Sequence, residues 1–533
     1  MGGFIKSRYK IIIVFIAALT LIWGGLFSSI NAEGALLPLK NSKNGRYIIQ
    51  EDGTPIFWLA DDGWGLHNRT NAGDANFYLA TRKAQGFTVI HTWMVSKWMP
   101  ENLHGDGPFQ GSIYNASTIN VNQSFFDNIG HKIDLAASKG LYVVLEIGHG
   151  LRNGPFSICL GNNPTNQGAY QYGWKIANAL KKDGAQRPNI IWGLGIDTSP
   201  VSSKSLVSES RNVELVRIIA EGVADANNGL PLSSLNGQAD YSTTLISYHP
   251  QYPHSTSEWF GDDAWLDYNS HQSGRDARLN PLYHTLITTE YDMMPVKPCI
   301  EAEAGYEGGQ GNLPSGQFTP YNQRVEAYWS LFAGGFGFQY GHSSTWQFYV
   351  PVLFSPRAGA TIDWHTAINA EGANDMIHVR NLMESRPLLI RIPDQSILAS
   401  SEESGGPHTR LQATRDSDGC YAFVYATNGR NFDIHMGTIS GKLAAAWWYD
   451  PRTGNATFIG NFPTTGTQTF DPPRSPSTSE TNGNDWILVL DDVSQGFGRP
   501  GIPMAQPNDD ETVPSPPSTQ LNKIAIDPTE ADF

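Results

Sequence analysis

NIIWGLGID (189–197) and KPCIEAE (297–303) each drive a run of apolar and β-branched residues into a carboxylate, Asp197 in the first and Glu303 in the second. Both runs are too continuous for a half-exposed strand and read as strands buried on both faces, the signature of a parallel sheet. Six further runs share that character: IFWLAD (56–61), FTVIHTWM (87–94), LYVVLEIGHG (141–150), LISYHP (245–250), WLDYNSHQ (265–272) and FGFQYGH (336–342). Periodic, more polar stretches lie between them, such as ANFYLATRKAQG and FFDNIGHKIDLAASKG. These end at Gly86 and Gly140, directly before the next run, where a helix C-cap belongs. Eight strand–helix units between residues 37 and 394 predict a (β/α)8 TIM barrel with enlarged loops. A doubly wound sheet is the structural alternative, but no GxGxxG turn follows the first strand.

After Pro393 the pattern changes. TRLQAT, CYAFVYAT, AAAWWYD, ATFIG and DWILVLD, separated by Gly, Asn and Pro, predict an antiparallel β-sandwich over 397–492. The proline-rich stretch 496–533 reads as a disordered tail. At the other end Lys6, Arg8 and Lys10 precede an uncharged segment reaching Ala32. Residues 1–32 therefore read as a secretory signal peptide, with an uncleaved signal anchor as the alternative. Both place the rest of the chain outside the cytoplasm, secreted or at the cell surface.

Composition narrows the function classes. The 533 residues carry a net charge of −15, a poor match for nucleic acid. Cys159, Cys299 and Cys420 form no CxxC pair, which excludes zinc ribbons and thioredoxin-type motifs. A monomer without cofactor is expected.

In a barrel, chemistry sits at the C-terminal ends of the strands. The eight runs bring Asp61, Asp62 and Trp64; His91 and Trp93; Glu146 and His149; Asp197; His249; Asp267, Asn269 and Gln272; Glu303 with Tyr306 and Glu307; and Gln339, Tyr340, His342 and Trp346. This mixture of carboxylates, imidazoles, amides and aromatics suits a polyhydroxylated ligand. Glycosidic cleavage needs two carboxyl groups, one protonated and one ionised. Asp197 and Glu303, from strands nearly opposite each other, are the candidate pair. Asp197 precedes Thr198-Ser199-Pro200, so helix capping competes as an explanation. Glu is a poor cap and a costly core residue, which favours a chemical role for Glu303. Glu146 is either a rim residue or the buried partner of a histidine, and Glu290 is expected on a solvated helix. The tryptophans serve equally well as sugar platforms or as core. The four histidines lack the HxH and HExxH patterns of metal hydrolases, so no metal is expected.

GRYIIQEDGTPIFWLADDGW, RKAQGFTVIHTW, NIIWGLGID, ISYHP, KPCIEAEAGYEG, AYWSLFAGGFGFQYGHSSTWQF and AAWWYDPRTGNATFIGNF…NDWILVLD follow one order along the chain. In that order they resemble the apiosidase-like glycoside hydrolases, secreted enzymes with a TIM barrel followed by a sandwich of collagen-binding type. The resemblance spans roughly residues 37–492 and implies Asp197 as general acid/base and Glu303 as nucleophile of a retaining reaction on polysaccharide side chains. The sequence departs from the family pattern twice. Ile196 precedes the Asp where the family usually has Gly, and Ala304 follows Glu303 where it usually has Pro. Two other function classes compete: a metal-dependent barrel hydrolase using the histidines, and a non-catalytic matrix- or carbohydrate-binding protein. Retention of both carboxylates argues against the second.

Overall fold

The computed structural model describes residues 36–96, 98–110, 120–148, 165–195, 197–200, 208–310 and 316–509. The segment read as a signal or anchor lies outside the described residues. No described helix is long and apolar enough to cross a membrane.

Eight parallel strands form the centre: β1 (Trp58–Asp62), β2 (Val89–Trp93), β3 (Tyr142–Glu146), β4 (Ile190–Gly193), β5 (Ile246–Ser247), β6 (Asn269–His271), β7 (Cys299–Glu301) and β8 (Gly337–Tyr340). Their order β6-β7-β8-β1-β2-β3-β4-β5 is that of a barrel opened at one seam. Hydrogen bonds that are not ladder bonds stitch the seam between β5 and β6. Asp267 N donates to Ile246 O (2.9 Å), and Ile246 N donates back to the Asp267 carboxylate (2.6 Å). All eight strands are buried along their whole length, which accounts for their continuous apolar sequence.

Helices α1 (Ala72–Ala84), α2 (Gln123–Ala137), α3 (Asn166–Ala179), α4 (Glu209–Asn227), α5 (Leu282–Tyr291), α6 (Pro320–Phe332) and α7 (Glu371–Met383) cover the barrel. Asn71 caps α1 by accepting from Asp74 N (2.9 Å), and Thr319 and Asn322 form a reciprocal capping box on α6. Gly86 and Gly140, the expected stops after α1 and α2, both adopt the left-handed conformation (φ +89° and +67°).

The C-terminal part is a six-stranded antiparallel sheet with a two-stranded sheet laid on it. The larger sheet orders as β9 (Arg391–Pro393), β10 (Leu411–Asp416), β11 (Tyr421–Ala426), β16 (Trp486–Asp492), β13 (Leu443–Asp450) and β14 (Asn455–Pro463). Strands β12 (Phe432–His435) and β15 (Thr467–Phe470) pair to make the smaller one. Between the two sheets lies a core containing Val424, Ile434, Trp448, Phe470 and Leu488. The opposite face of the larger sheet packs on α6 and α7 as one continuous cluster of Val325, Tyr328, Phe332, Met376 and Val379 with Phe423, Tyr425, Ile487 and Val489. Tyr328 stacks on Tyr425 with ring centroids 4.9 Å apart. The sandwich is thus joined to the barrel through core, and its large residues are spent there. Trp448 and Trp486 are buried, while Trp447 is half-buried against the exposed Phe458 of β14.

Two expectations need correction. Residues 496–509, the beginning of the stretch read as disordered, are held in place. Gln506 Nε2 donates to the carbonyls of Glu384 and Arg386, and Asp509 N donates to Gly53 O (3.0 Å). Proline content lowers backbone entropy loss, and these backbone acceptors at the foot of the barrel supply what composition could not reveal. Glu290 does lie on α5, but it is buried, bonded to His271 Nδ1 (3.1 Å) rather than solvated. Cys299 and Cys420 are free thiols, and Cys159 lies outside the described residues.

Candidate active site

A cavity of about 540 Å³ opens at the C-terminal ends of the strands, within the range of small-molecule sites. Asp197 and Glu303 both line it. Asp197 follows β4 through a glycine-containing turn and has a left-handed backbone (φ +45°), a conformation Asp tolerates better than most residues. The end of β4 needs Gly193, since a Cβ there would fall 2.1 Å from the Glu146 carboxyl carbon. Glu303 lies two residues beyond β7 and is 7% exposed, so its carboxylate meets the cavity from a buried floor.

Trp64, Trp93 and Trp346 are at once core and cavity wall. They pack together with Met99 and Tyr306 in one buried cluster, and their rings form part of the cavity wall. Trp98 adds a half-buried ring with the Arg357 guanidinium 4.5 Å above it. Gln272 lines the cavity too, its Oε1 accepting from Tyr252 N (2.5 Å).

Three groups converge on Glu303. His249 Nε2 is 3.2 Å from Oε2, and Arg275 NH2 is 3.9 Å from Oε1. The Tyr306 hydroxyl, itself accepting from Trp64 Nε1 (2.8 Å), is the third. Burial pushes the Glu303 carboxyl up, but the His249 hydrogen bond, the Arg275 charge and Tyr306 outweigh it and hold it below the usual carboxylate range. Glu303 is therefore ionised at neutral pH. Its backbone is fixed as well, because Glu303 N donates to Glu301 Oε1 (3.0 Å). Glu301 and Glu290 flank His271 on both ring nitrogens, at 3.2 and 3.1 Å. Burial opposes charge on that imidazole, but the two glutamates prevail and push it up to about 10.

Beneath the cavity runs a second chain of polar groups. Glu146 Oε1 is 2.8 Å from His91 Nε2, and His91 Nδ1 is 2.9 Å from Gln339 Oε1. Gln339 Nε2 donates to Asp62 Oδ1. Burial raises Glu146 well above the ordinary carboxyl range and lowers His91 well below the ordinary imidazole range. The pair is thus neutral. Glu146 donates its proton to Nε2, Nδ1–H donates to the Gln339 carbonyl, and the Gln339 amide is thereby turned to donate to Asp62.

The remaining sequence candidates divide by strand register. Asp61 and Asp62 are adjacent on β1 and face opposite sides. Asp62 points into the barrel. Asp61 points outward to Arg82 Nε (2.8 Å) and Tyr78, and does not reach the cavity. Asn269 is the first residue of β6, at the end away from the site. Glu307 is engaged by Tyr340 Oη (2.5 Å) and Gly372 N (3.2 Å), and His342 Nδ1 accepts from Ser344 N (3.0 Å). The structure does not bring these last three to the cavity. His149 lies outside the described residues. Among the described residues no cluster of three or more His, Cys, Asp or Glu could hold a metal ion. Arg275 and Arg357, both in the cavity wall, escaped the sequence reading because each sits in a loop beyond its strand. Arg275, three residues past Gln272, was within reach of a wider reading of that strand end.

Comparison with known proteins agrees with this architecture. Residues 42–389 match the family model described as "Apiosidase-like, catalytic domain". Residues 392–491 match the model described as "Putative collagen-binding domain of a collagenase". A solved structure described as a glycoside hydrolase is 29% identical, with 86% of this chain and 97% of that one covered and a TM-score of 0.71. Another, a glycoside hydrolase family 5 protein from Bacteroides vulgatus ATCC 8482, is 27% identical, with 89% and 97% covered and a TM-score of 0.72. No curated protein matched.

Proposed function

This chain belongs to the apiosidase-like glycoside hydrolases, and we propose that it is exported and cleaves side-chain sugars from plant or microbial polysaccharide with retention of anomeric configuration. The observation that carries the reading is one cavity in which an ionised Glu303 and a second carboxyl, Asp197, share a tryptophan-walled space. Glu303 attacks the anomeric carbon while Asp197 delivers a proton to the departing glycosidic oxygen. The carbon–oxygen bond breaks and a glycosyl ester forms on Glu303. The Asp197 carboxylate then takes a proton from water. The hydroxide so generated displaces Glu303 from the anomeric carbon, and Asp197 is again protonated for the next turnover.

His249, Arg275 and Tyr306 suit the nucleophile's task because all three favour its anionic form. They also make it a good leaving group in the second half. Trp64, Trp93, Trp98 and Trp346 supply flat apolar faces for the C–H faces of a sugar ring, and Gln272 supplies a polar edge for hydroxyls. The test is a screen of purified protein against aryl glycosides and pectic oligosaccharides, with released monosaccharides as the readout. Activity that survives in both Asp197→Asn and Glu303→Gln refutes the pair.

A further inference from the structure

Asp62 lies within the protein, not in the cavity wall, and is 1% exposed. Its surroundings contain more acid than base. Asp61 precedes it on β1, and Glu303 approaches from β7. The cation nearest Asp61 is Arg82, which is committed to that residue on the outer face of the strand. On the inner face the neighbouring cation is Arg275, which lies against Glu303. The imidazoles of His91 and His249 lie on the same side, and the first is neutral. From β8 comes the Gln339 amide, which donates to Oδ1. Oδ2 is buried with no hydrogen-bond partner. It sits beside Gly341 and the Tyr306 ring edge, since a Cβ on Gly341 would come 3.1 Å from Oδ2 and 2.2 Å from Tyr306 Cδ1.

An ionised carboxylate in this position would have only neutral donors, the Gln339 amide and, nearby, the Tyr306 hydroxyl that also serves Glu303, with no cation of its own and a second carboxylate for a neighbour. Such burial is costly, and a proton removes the cost. The geometry also says which oxygen carries it. Gln339 is turned by His91 to donate to Oδ1, so Oδ1 is the acceptor and Oδ2 is left for the hydroxyl. We propose that Asp62 is a positioning residue for Glu303, standing beside it as a neutral carboxylic acid protonated on Oδ2, so that the floor of the site carries one negative charge where two carboxyls meet. Burial first and the Glu303 charge second push Asp62 well above the ordinary range, in keeping with this placement. The chain Glu146–His91–Gln339 acquires a purpose in the same step. It is a neutral relay of hydrogen bonds whose polarity selects the protonated oxygen of Asp62, and thereby directs negative charge to Glu303 alone.

The kinetic consequence rests on Glu303 being the nucleophile, but the protonation state does not, and the experiment separates them. Infrared difference spectra of the full chain without substrate, wild type minus Asp62→Asn at pH 7, should show a protonated-carboxyl C=O band lost in the variant. In Glu303→Gln the neighbouring charge is gone, so that band should vanish at lower pH than in wild type. Asn reproduces the donor and acceptor pattern of a neutral Asp, so Asp62→Asn should keep kcat within about tenfold. It should also leave the acid limb of kcat/KM, which reports Glu303 ionisation, in place. An absent difference band overturns the proposal. So does an acid limb displaced downward by about one pH unit or more, the shift expected when a neighbouring anion is removed. Full activity in Glu303→Gln, by contrast, refutes the nucleophile while leaving the infrared result standing.

Discussion

Arg324 is where barrel and sandwich are fastened, and Arg324→Met is the perturbation that measures how tightly. From α6 its guanidinium reaches Asp485, ahead of β16, through Nε (2.8 Å) and NH2 (3.0 Å), and Asp375 on α7 through NH1 (2.7 Å). All three side chains are at most 5% exposed. Removing the cation leaves two buried carboxylates, a loss of about 3–5 kcal/mol for breaking a buried pair. If barrel and sandwich unfold together, the cooperative unit is roughly 470 residues, with an unfolding entropy near 1 kcal/mol/K at about 2.1 cal/mol/K per residue. The melting temperature then falls by only about 3–5 °C, in a single transition. A sandwich that melted alone, at about 100 residues, would instead drop by more than 10 °C in a transition separate from that of the barrel. Differential scanning calorimetry distinguishes the two, and a split endotherm would refute the shared-core reading. The penalty also has a pH signature. Burial, against the pull of Arg324, already pushes Asp375 up to about 7. A carboxyl raised in the folded state destabilises it increasingly as pH climbs above the unfolded value, and loss of Arg324 raises it further. Arg324→Met should therefore cost more at pH 8 than at pH 5, and adding Asp375→Asn should recover part of the loss at pH 8.

Asp197→Asn and Glu303→Gln should each lower turnover by several orders of magnitude with melting temperature nearly unchanged, and a substrate with an activated phenol leaving group should partly restore Asp197→Asn. Proton NMR of the first-formed sugar should show the substrate's own anomer; the opposite anomer would make Glu303 a base instead of a nucleophile. His271, raised to about 10 in the fold, contributes stability that is complete below its unfolded value near 6.5 and is lost as pH rises through about 10. His271→Gln should thus be destabilising at pH 6 and much less so at pH 10.5, as read by thermal melts. The sandwich should show no saturable retention on collagen or insoluble polysaccharide when the full chain is used, because most of its large apolar side chains are already buried.

The barrel was legible because its strands are buried on both faces, so each announces itself as an unbroken apolar run whatever its register. The same property hid the site's finer structure. In a strand such as WLADD no alternation tells which of Asp61 and Asp62 faces inward, and the two residues have opposite fates, one an ion pair with Arg82 and the other the neighbour of Glu303. A run read as starting at Trp265 begins its ladder at Asn269, which moves that residue from the rim to the base. Asp197 and Glu303 were legible because a carboxylate at the end of such a run has few other reasons to be there. Arg275 and Arg357 were not, since loop conformation rather than strand periodicity puts them in the wall. Glu290 looked solvated on a short helix of weak amphipathicity. Only the packing of α5 over β6 discloses His271 as its partner.

The buried acids around the barrel floor follow one rule, and it explains why so many can coexist. Asp61 is neutralised by Arg82, Glu290 and Glu301 share the His271 imidazolium, and Glu146 keeps its proton and gives it in a hydrogen bond to His91. Asp61 and Glu146 are thus compensated within their own surroundings, and Glu290 and Glu301, two acids on one imidazolium, do not line the cavity. Glu303 differs in that it lines the cavity itself, as do Arg275 and Tyr306 of its stabilising groups, while His249 holds it from the buried side. Its charge is therefore presented to a bound ligand, in a wall that Asp197 and Asp276 also line. A developing positive charge on a sugar ring would find a single concentrated anion below it, in a low-dielectric floor where such an interaction is strongest. By the same logic a second charge on that floor, on Asp62, would pull Glu303 toward protonation and weaken it as an attacking group. Neutralising Asp62 with a proton, and not with a cation, preserves the anion without placing a competing positive charge beneath the substrate.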